Sequence, residues 1–216
     1  VVFNPHPGAI RTSNYAVELI NQASIEMGGP ENIVTSVAKT NMEQANILLK
    51  HPDIALIAAT GGPGVVTAAL SSGKRAIGAG AGNPPVVVDE TADIKKAAKD
   101  IIDGATFDNN LPCIAEKEVV VVDKVADELV YWMQQNGCYQ VAGKYLDKLI
   151  DLVITRKDGK VTLNRECVGK DASKLLNAIG INAGPEIRCI IFEGPKDHIL
   201  VEEEMMMPVL GIVRAK

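Results

Sequence analysis

Residues 107–118 read Phe-Asp-Asn-Asn-Leu-Pro-Cys-Ile-Ala-Glu-Lys-Glu, and this stretch connects two segments with different patterns. After it, the apolar run Val119–Val122 is short and β-branched, which predicts a buried strand. Before it, residues 91–104 have the apolar spacing of a helix. Cys113 therefore lies in the connection between a helix and a strand, where a side chain is positioned rigidly and stays accessible.

Two interpretations of Cys113 follow from its residue type alone. A single cysteine is commonly a small buried apolar residue with no chemical role. A thiol becomes a nucleophile when nearby amides or cations stabilise its thiolate form. The polar, proline-containing approach to Cys113 is compatible with the second interpretation, and the pattern alone leaves both open.

The composition restricts the class of protein. The chain has 216 residues, 47% of them hydrophobic and 4% aromatic, so we expect an aliphatic core in one large domain or parts of two. The chain has 22 Lys and Arg and 27 Asp and Glu, so it carries no excess of positive charge for binding nucleic acid. We therefore expect no nucleic-acid partner. No apolar run approaches the roughly 20 residues of a membrane span, and no signal peptide is visible, so we expect no membrane partner.

The cysteines and histidines are scattered along the chain. No Cys-x-x-Cys pair occurs among the four cysteines, which predicts the reduced thiols of a cytoplasmic protein and neither a disulfide framework nor a zinc site. The three histidines are equally dispersed, so we expect no metal. The first residue is Val1, in a strand-like run without an initiator Met, and we expect the natural amino terminus to lie upstream.

Strands and helices alternate along the chain, which predicts an α/β fold with parallel βαβ units. Strands are expected at 1–3, 33–37, 54–59, 85–88, 119–122 and 189–192, with a last strand ending at 213. A first helix is expected with Ser13 as its N-cap, and a second that opens with a capping box at 40–43. Two further helices are expected over 65–72 and 91–104. Of the last three expected helices, one follows residue 122, one ends near 153 and one ends before 180. Asp158-Gly159 predicts a turn.

Three glycine- or proline-rich connections are candidate ligand sites. Asn4-Pro5-His6-Pro7-Gly8 forms a tight loop at the carboxyl end of a strand, where open α/β sheets bind ligands. Residues 60–64, Thr-Gly-Gly-Pro-Gly, join a strand to a helix and would let backbone amides approach an anion. Residues 78–84 carry three further glycines. Ordinary tight turns remain the alternative for the last two connections.

The segment from Asp108 to Glu118 resembles the catalytic-cysteine segment of the CoA-acylating aldehyde dehydrogenases, of the acetaldehyde and propionaldehyde type. The resemblance extends over nearly the whole chain. It implies the α/β aldehyde dehydrogenase fold, with part of a Rossmann-like domain that binds NAD and CoA at 1–104 and part of an α/β catalytic domain at 105–216. The chain would then be an internal portion of such an enzyme.

The resemblance also implies roles for individual residues. Cys113 would be the nucleophile, with its own amide helping to bind the oxyanion. The cofactor-binding residues would be Asn4, His6, Pro7 and Gly8 at the adenosine half, Thr60, Gly61 and Gly62 at the pyrophosphate and nicotinamide, and Glu204 at the nicotinamide ribose. Gly78 is also assigned to the cofactor-binding residues, in the place of the glutamate that activates water in hydrolytic members of the superfamily.

These roles imply oxidation of a short aliphatic aldehyde by NAD, with transfer of the acyl group to coenzyme A through a cysteine thioester. The alternatives are the aldehyde dehydrogenase portion of a bifunctional aldehyde-alcohol dehydrogenase and a non-catalytic nucleotide-binding fragment. The resemblance further implies a fermentative homo-oligomer in the cytoplasm or inside a bacterial microcompartment, where shell proteins would be partners.

Overall fold

The computed structural model of the protein describes residues 1–157 and 159–216, with the backbone alone at Lys157 and Lys160. The chain divides into two compact units, Val1–Gly80 and Ala81–Lys216, here called unit 1 and unit 2. No helix among the described residues is long and apolar enough to cross a membrane.

Unit 1 alternates strands and helices as the sequence predicts. Its elements are β1 (Val2–Phe3), α1 (Ile10–Glu26), β2 (Thr35–Ser36), α2 (Met42–Lys50), β3 (Leu56–Thr60), α3 (Pro63–Leu70) and β4 (Arg75–Ala79). The strands form two parallel pairs, β1 with β2 and β3 with β4. Parallel βαβ units are therefore confirmed in this unit.

The predicted helix starts in unit 1 are wrong in detail. A 3₁₀ turn over Pro7–Ala9 continues directly into α1, so the helix begins before Ser13 and Ala9 is its N-cap. The predicted capping box is displaced by one residue. Asn41 is the N-cap of α2 because its Oδ1 accepts a hydrogen bond of 2.9 Å from the Gln44 amide.

Unit 2 contains a five-stranded, fully parallel sheet. Its elements are β5 (Pro85–Val88), α4 (Ile94–Ala105), β6 (Glu118–Val122), α5 (Asp123–Gln135), β7 (Cys138–Gln140), α6 (Lys144–Val153), β8 (Ile154–Lys157), β9 (Lys160–Leu163), α7 (Ala172–Ala178), β10 (Cys189–Glu193), α8 (Ile199–Glu202) and β11 (Val209–Ala215). The strand order is β5-β6-β11-β10-β7, and β8 with β9 forms a separate antiparallel pair. This arrangement confirms the α/β class.

Helices cover both faces of the sheet. One apolar cluster joins α4 and α5 to one face, and a second joins α6, α7 and α8 to the other. The alternation of side chains along β10 divides its residues accordingly, because Ile191 belongs to the first cluster whereas Ile190 and Phe192 belong to the second. Cys113 lies in the connection that enters this sheet at the amino end of β6.

The sequence pattern misses the shortest elements of unit 2. The strand predicted over 85–88 is confirmed, and β6 begins at Glu118, one residue before the predicted start. The three-residue β7, the β8–β9 hairpin and the four-residue α8 are not predicted, since each is too short to establish a period. Asp158 of the predicted Asp158-Gly159 turn lies outside the described residues.

Residues 81–104 pack within unit 2. β5 pairs with β6 along its whole length, from Pro85 opposite Glu118 to Val88 opposite Val121, and α4 packs in the same apolar cluster as α5. The division into a cofactor domain at 1–104 and a catalytic domain at 105–216 assigns functions to the two parts, and it stays a prediction.

Candidate active site

Cys113 lies in a turn between α4 and β6 and is exposed, whereas the other three cysteines, Cys138, Cys167 and Cys189, are buried. The Ala115 amide donates a hydrogen bond of 3.1 Å to the Pro112 carbonyl and closes the turn around Cys113. Among the hydrogen bonds of the described residues, none uses the Cys113 N–H. This amide therefore has no protein acceptor among those residues.

The chain reaches Cys113 through three consecutive residues in the left-handed backbone region. The φ angles are 47° at Asp108, 51° at Asn109 and 63° at Asn110. Asp and Asn tolerate this region best among residues with a side chain, but a run of three costs free energy and persists only where the surroundings hold it. Asp108, Asn109 and Asn110 are thus the residues whose left-handed backbone sets the course of the chain toward Cys113.

The Asn109 side chain holds the first part of this loop. Its Nδ2 donates to the Gly169 carbonyl at 3.0 Å and to Asp171 Oδ1 at 2.9 Å. The Gly169 amide in turn donates to the Met206 carbonyl at 3.0 Å. Met206 also has a left-handed backbone, with φ of 46°. The loop of Cys113 is therefore linked through Gly169 to the segment that follows Glu204.

Asn110 and Lys117 tie the two ends of the loop together. Asn110 is buried, and its Nδ2 donates to the Ala105 and Glu116 carbonyls at 2.7 and 2.9 Å. Lys117 is 2% exposed, and its Nζ donates to the Asn110 carbonyl at 2.7 Å and to Asn110 Oδ1 at 2.5 Å. Three of these bonds close the segment 110–117, which we call the cysteine loop, on itself, and the fourth ties it to the Ala105 carbonyl at the end of α4.

Burial lowers the pKa of the Lys117 ammonium group. The negative charges of Glu204, of the Cys113 thiolate form and of Glu118 act in the opposite sense. Lys117 thus interacts electrostatically with both Cys113 and Glu204. Glu118 follows it at the start of β6, is 8% exposed, and has its pKa raised by burial and lowered in part by Lys117. Glu118 Oε2 is buried without a hydrogen-bond partner among the described residues.

Gly82 supports the cysteine loop from the other side. A Cβ at Gly82 would lie 2.4 Å from the Cys113 carbonyl oxygen and 3.2 Å from Cys113 Cβ, so a side chain does not fit there. The next residue, Asn83, donates from Nδ2 to the Val201 carbonyl at 2.7 Å. The glycine-rich stretch 78–84 therefore approaches another backbone closely at Gly82.

Glu204 lies between α8 and β11, in the same unit as Cys113, and is half-buried. The neighbouring Met205 and Met207 are buried in the second apolar cluster. The backbone that follows Glu204 is thus anchored in the core by Met205 and Met207.

The predicted turn residues Thr60, Gly61 and Gly62 lie in unit 1, at the carboxyl end of β3 and the start of α3. Gly62 is the N-cap of α3, and no side chain caps this helix end. A Cβ at Gly62 or Gly64 would meet nothing within 4 Å. An uncapped helix start with open space beside it fits a phosphate or diphosphate group of a dinucleotide such as NAD.

Gly78 lies within β4 and pairs with Ala59 of β3. The Gly61 amide donates to the Ala79 carbonyl at 3.1 Å, so the structure brings Gly78 and the 60–62 turn together. A Cβ at Gly78 would lie 2.7 Å from Val66 Cγ1 and 3.5 Å from Leu70 Cγ. The interpretation of 78–84 as turns alone is wrong at Gly78, where close packing of strand and helix excludes a side chain.

The loop Asn4, Pro5, His6, Pro7 and Gly8 follows β1 in unit 1. The Gly8 amide donates to His6 Nδ1 at 3.1 Å, which fixes the imidazole over the 3₁₀ turn. An open depression of about 700 Å³ beside this loop is lined by Pro7, Gly8, Ile10, Arg11, Thr12 and Tyr15. A depression lined by an arginine and a tyrosine fits a nucleotide part of CoA or NAD.

Several residues of the site are absent from the sequence prediction. Asn109, Asn110, Lys117 and Gly82 position the loop of Cys113, and only the Asp-Asn-Asn string carried a signal for it in the sequence. Among the described residues no cluster of three His, Cys, Asp or Glu side chains is arranged to hold a metal ion.

The family model described as the aldehyde dehydrogenase family matches residues 1–216. The chain belongs to the aldehyde dehydrogenase family. It is 46% identical over 217 residues to an aldehyde dehydrogenase of Salmonella typhimurium named acetaldehyde dehydrogenase (acetylating), and the match covers 99% of this chain and 46% of that protein. The resemblance drawn from the cysteine segment is confirmed.

Solved aldehyde dehydrogenase structures agree with this assignment. A propionaldehyde dehydrogenase from the Clostridium phytofermentans fucose utilisation bacterial microcompartment matches with a TM-score of 0.92 and 64% identity, covering 100% of this chain and 49% of that chain. A Rhodopseudomonas palustris propionaldehyde dehydrogenase with bound CoA and an acylated cysteine matches with a TM-score of 0.90 and 49% identity, again over 100% and 49%. The chain spans about half the length of these relatives.

Proposed function

We propose that the protein oxidises a short aliphatic aldehyde with NAD and transfers the acyl group to coenzyme A through a thioester on Cys113. The observation that carries this proposal is the exposed Cys113 on a tightly held loop, in a chain of the aldehyde dehydrogenase family. The acylated cysteine and bound CoA of the Rhodopseudomonas palustris relative support it.

Cys113 performs the covalent steps. Its sulfur adds to the aldehyde carbonyl carbon to form a thiohemiacetal, and the Cys113 N–H would donate to the resulting oxyanion. NAD, when bound, supplies the hydride acceptor that converts this adduct into a thioester. The sulfur of CoA then attacks the thioester carbon, and Cys113 leaves as a thiolate that takes up the proton of the CoA thiol. The products are acyl-CoA, NADH and the proton that the Cys113 thiol loses before its attack.

The remaining predicted residues keep supporting roles in this proposal. Residues 1–104 would bind NAD and CoA, with Asn4 to Gly8 at the adenosine half and the turn 60–62 at the pyrophosphate. Glu204 would accept hydrogen bonds from the nicotinamide ribose, consistent with its place in the same unit as Cys113. Residues 105–216 would carry the chemistry.

The choice of CoA over water as acyl acceptor rests on the stretch around Gly78. No carboxylate occurs between Gly73 and Val88, and a base assists attack by water by about 10²–10⁴-fold. A thiol is already a few per cent thiolate near neutral pH and is intrinsically a better nucleophile. The acyl-enzyme should therefore persist when CoA is withheld.

The test is mass spectrometry of the full-length protein mixed with propanal and NAD without CoA. We expect an acyl adduct on Cys113, with a burst of about one NADH per active site, the amount that a trapped acyl-enzyme permits. The adduct should disappear on addition of CoA. Steady formation of the carboxylic acid without CoA would contradict the proposed acceptor. NAD binding without any adduct would favour the non-catalytic alternative.

The bifunctional aldehyde-alcohol dehydrogenase stays an alternative, because it would use the same cysteine chemistry. A homo-oligomer and a place inside a bacterial microcompartment are also proposals. The microcompartment origin of the Clostridium phytofermentans relative supports the second. Light scattering of the purified protein tests the oligomer, and co-sedimentation with isolated shells tests the location.

A further inference from the structure

The cysteine loop is closed by a buried ammonium group. Asn110 precedes Cys113 by three residues and Lys117 follows it by four, and Lys117 Nζ donates to both Asn110 oxygens. Asn110 Nδ2 meanwhile donates to the Glu116 carbonyl. The backbone on both sides of Cys113 is therefore fixed by one amide and one cation, and removal of the Lys117 side chain would leave Asn110 Nδ2–Glu116 as the one remaining side-chain bond across the loop among those described.

The charge of Lys117 is not neutralised by a direct partner. Its two bonded acceptors are a carbonyl and an amide oxygen, both neutral. Among the described residues no carboxylate lies within 4.0 Å of Lys117 Nζ, although Glu118 is the next residue. A buried cation without a bonded anion is costly, and it favours any negative charge that forms within its reach.

Several ionisable groups share this environment. Glu118 of β6, Glu204 before β11 and Cys113 itself interact electrostatically with Lys117. The Glu116 carboxylate, also in the loop, lies against Gly104 of α4. Lys117 is therefore the buried cation of this group, and the carboxylates around it can each be removed separately.

We propose that Lys117 is a positioning residue for the reaction at Cys113, whose ammonium group closes the cysteine loop and favours negative charge on the Cys113 sulfur. This inference rests on the proposed function, in which Cys113 is the nucleophile. The same field would favour the oxyanion of the thiohemiacetal. A neutral side chain of similar length would fill the space without providing the charge.

The test is the rate of Cys113 alkylation by iodoacetamide as a function of pH, followed by mass spectrometry. Lys117→Met should move the half-maximal pH upward and slow alkylation at pH 7 by about tenfold, the effect of losing one nearby cation. The matched control is Lys124→Met, because Lys124 is exposed on α5, and it should leave the profile unchanged. A lower melting temperature with an unchanged profile would overturn the proposal, because Lys117 would then be only structural.

A second variant removes the charge and keeps a hydrogen-bond donor. Lys117→Gln retains an N–H group that can reach the Asn110 oxygens, so the half-maximal pH should move upward as in Lys117→Met. This variant is used if Lys117→Met does not fold, and an unchanged profile in a folded Lys117→Gln protein would overturn the proposal. Alkylation needs neither aldehyde nor NAD. Failure of the inference is therefore distinguishable from failure of the proposed function, which the acyl adduct tests.

Discussion

Unit 1 and unit 2 have similar patterns of apolar residues but very different packing. Among the described residues of unit 1, only Val34 and Ala69 are buried apolar residues, and α1 and α2 bury none. Unit 2 buries two apolar clusters, one on each face of its sheet. An amphipathic pattern thus predicts which face of a helix is apolar, but it does not predict whether that face is covered within these residues.

The difference follows from the number of paired strands. Unit 2 has five adjacent strands, wide enough to hold helices on both faces, whereas unit 1 has two separate pairs. A pair of strands offers little surface to cover and is marginal by itself. Cys113 and Glu204 lie in the well-packed unit, and the glycine turns lie in the thinly packed one. The two kinds of site should therefore respond differently to mutation.

The largest effect is expected at Cys113. Cys113→Ala should reduce NADH formation from aldehyde and CoA by at least about 10³-fold, because the covalent step is lost. Alanine at Cys138, Cys167 or Cys189 should leave turnover within a few-fold, since these thiols are buried in the packed unit. Steady-state kinetics of the four variants measures this. Retained activity in Cys113→Ala would contradict the mechanism.

The packing difference itself can be measured with a matched pair of leucines. Leu129 on α5 is 0% exposed and Leu19 on α1 is 47% exposed. Leu129→Ala should lower the free energy of unfolding by about 2–5 kcal/mol, through lost burial and a cavity. Leu19→Ala should lower the free energy of unfolding by much less than Leu129→Ala does. Urea denaturation followed by hydrogen exchange in each unit measures both, and equal losses would refute the comparison.

Some parts of this structure follow from local sequence and others do not. The strand 85–88 is predicted correctly and the strand 119–122 to within one residue, because each is a β-branched run bounded by turn residues. Cys113 is placed correctly between helix and strand for the same reason. The helix start at Ser13 is wrong, since a preceding 3₁₀ turn can begin a helix earlier without changing the apolar spacing.

Two of the site residues that were missed, Asn109 and Gly82, act through contacts that are distant in the sequence. Asn109 bonds Gly169 and Asp171, about sixty residues away, and no local pattern indicates such a pair. Gly82 is one of three glycines in 78–84, and only the fold identifies it as the one beside Cys113. Lys117 has the appearance of a solvated charge in the sequence, although it is buried. Tertiary contacts decide each of these cases.

A smaller effect is expected in unit 1, at Gly78 of β4. Gly78→Ala would place Cβ 2.7 Å from Val66 Cγ1, a stiff β-branched side chain on α3, and should cost about 1–3 kcal/mol of stability. Gly80→Ala is the control, because a Cβ there meets nothing within 4 Å. Hydrogen exchange of β3 and β4 measures the difference. Equal protection of the β3 and β4 amides from exchange in both variants would show that unit 1 is packed loosely enough to accommodate the added methyl group.

The smallest effect concerns Glu118, a buried carboxyl group in the packed unit. Its pKa is raised by burial, so ionisation above the folded pKa destabilises the folded state. The stability that Glu118 contributes is present below its unfolded pKa and is lost as the pH rises through the folded one. Glu118→Gln has nearly the same shape and no charge, so it should increase the free energy of unfolding at pH 7 more than at pH 4.

Glu128→Gln provides the control for this comparison, because Glu128 is exposed on α5 in the same unit and its substitution removes the same charge. Urea titrations of the three proteins at both pH values measure the difference. If Glu118→Gln is destabilising at pH 7, the carboxylate receives hydrogen bonds or charge in solution that outweigh its burial. Lys117 would be their source, since its charge is the one that lowers the Glu118 pKa.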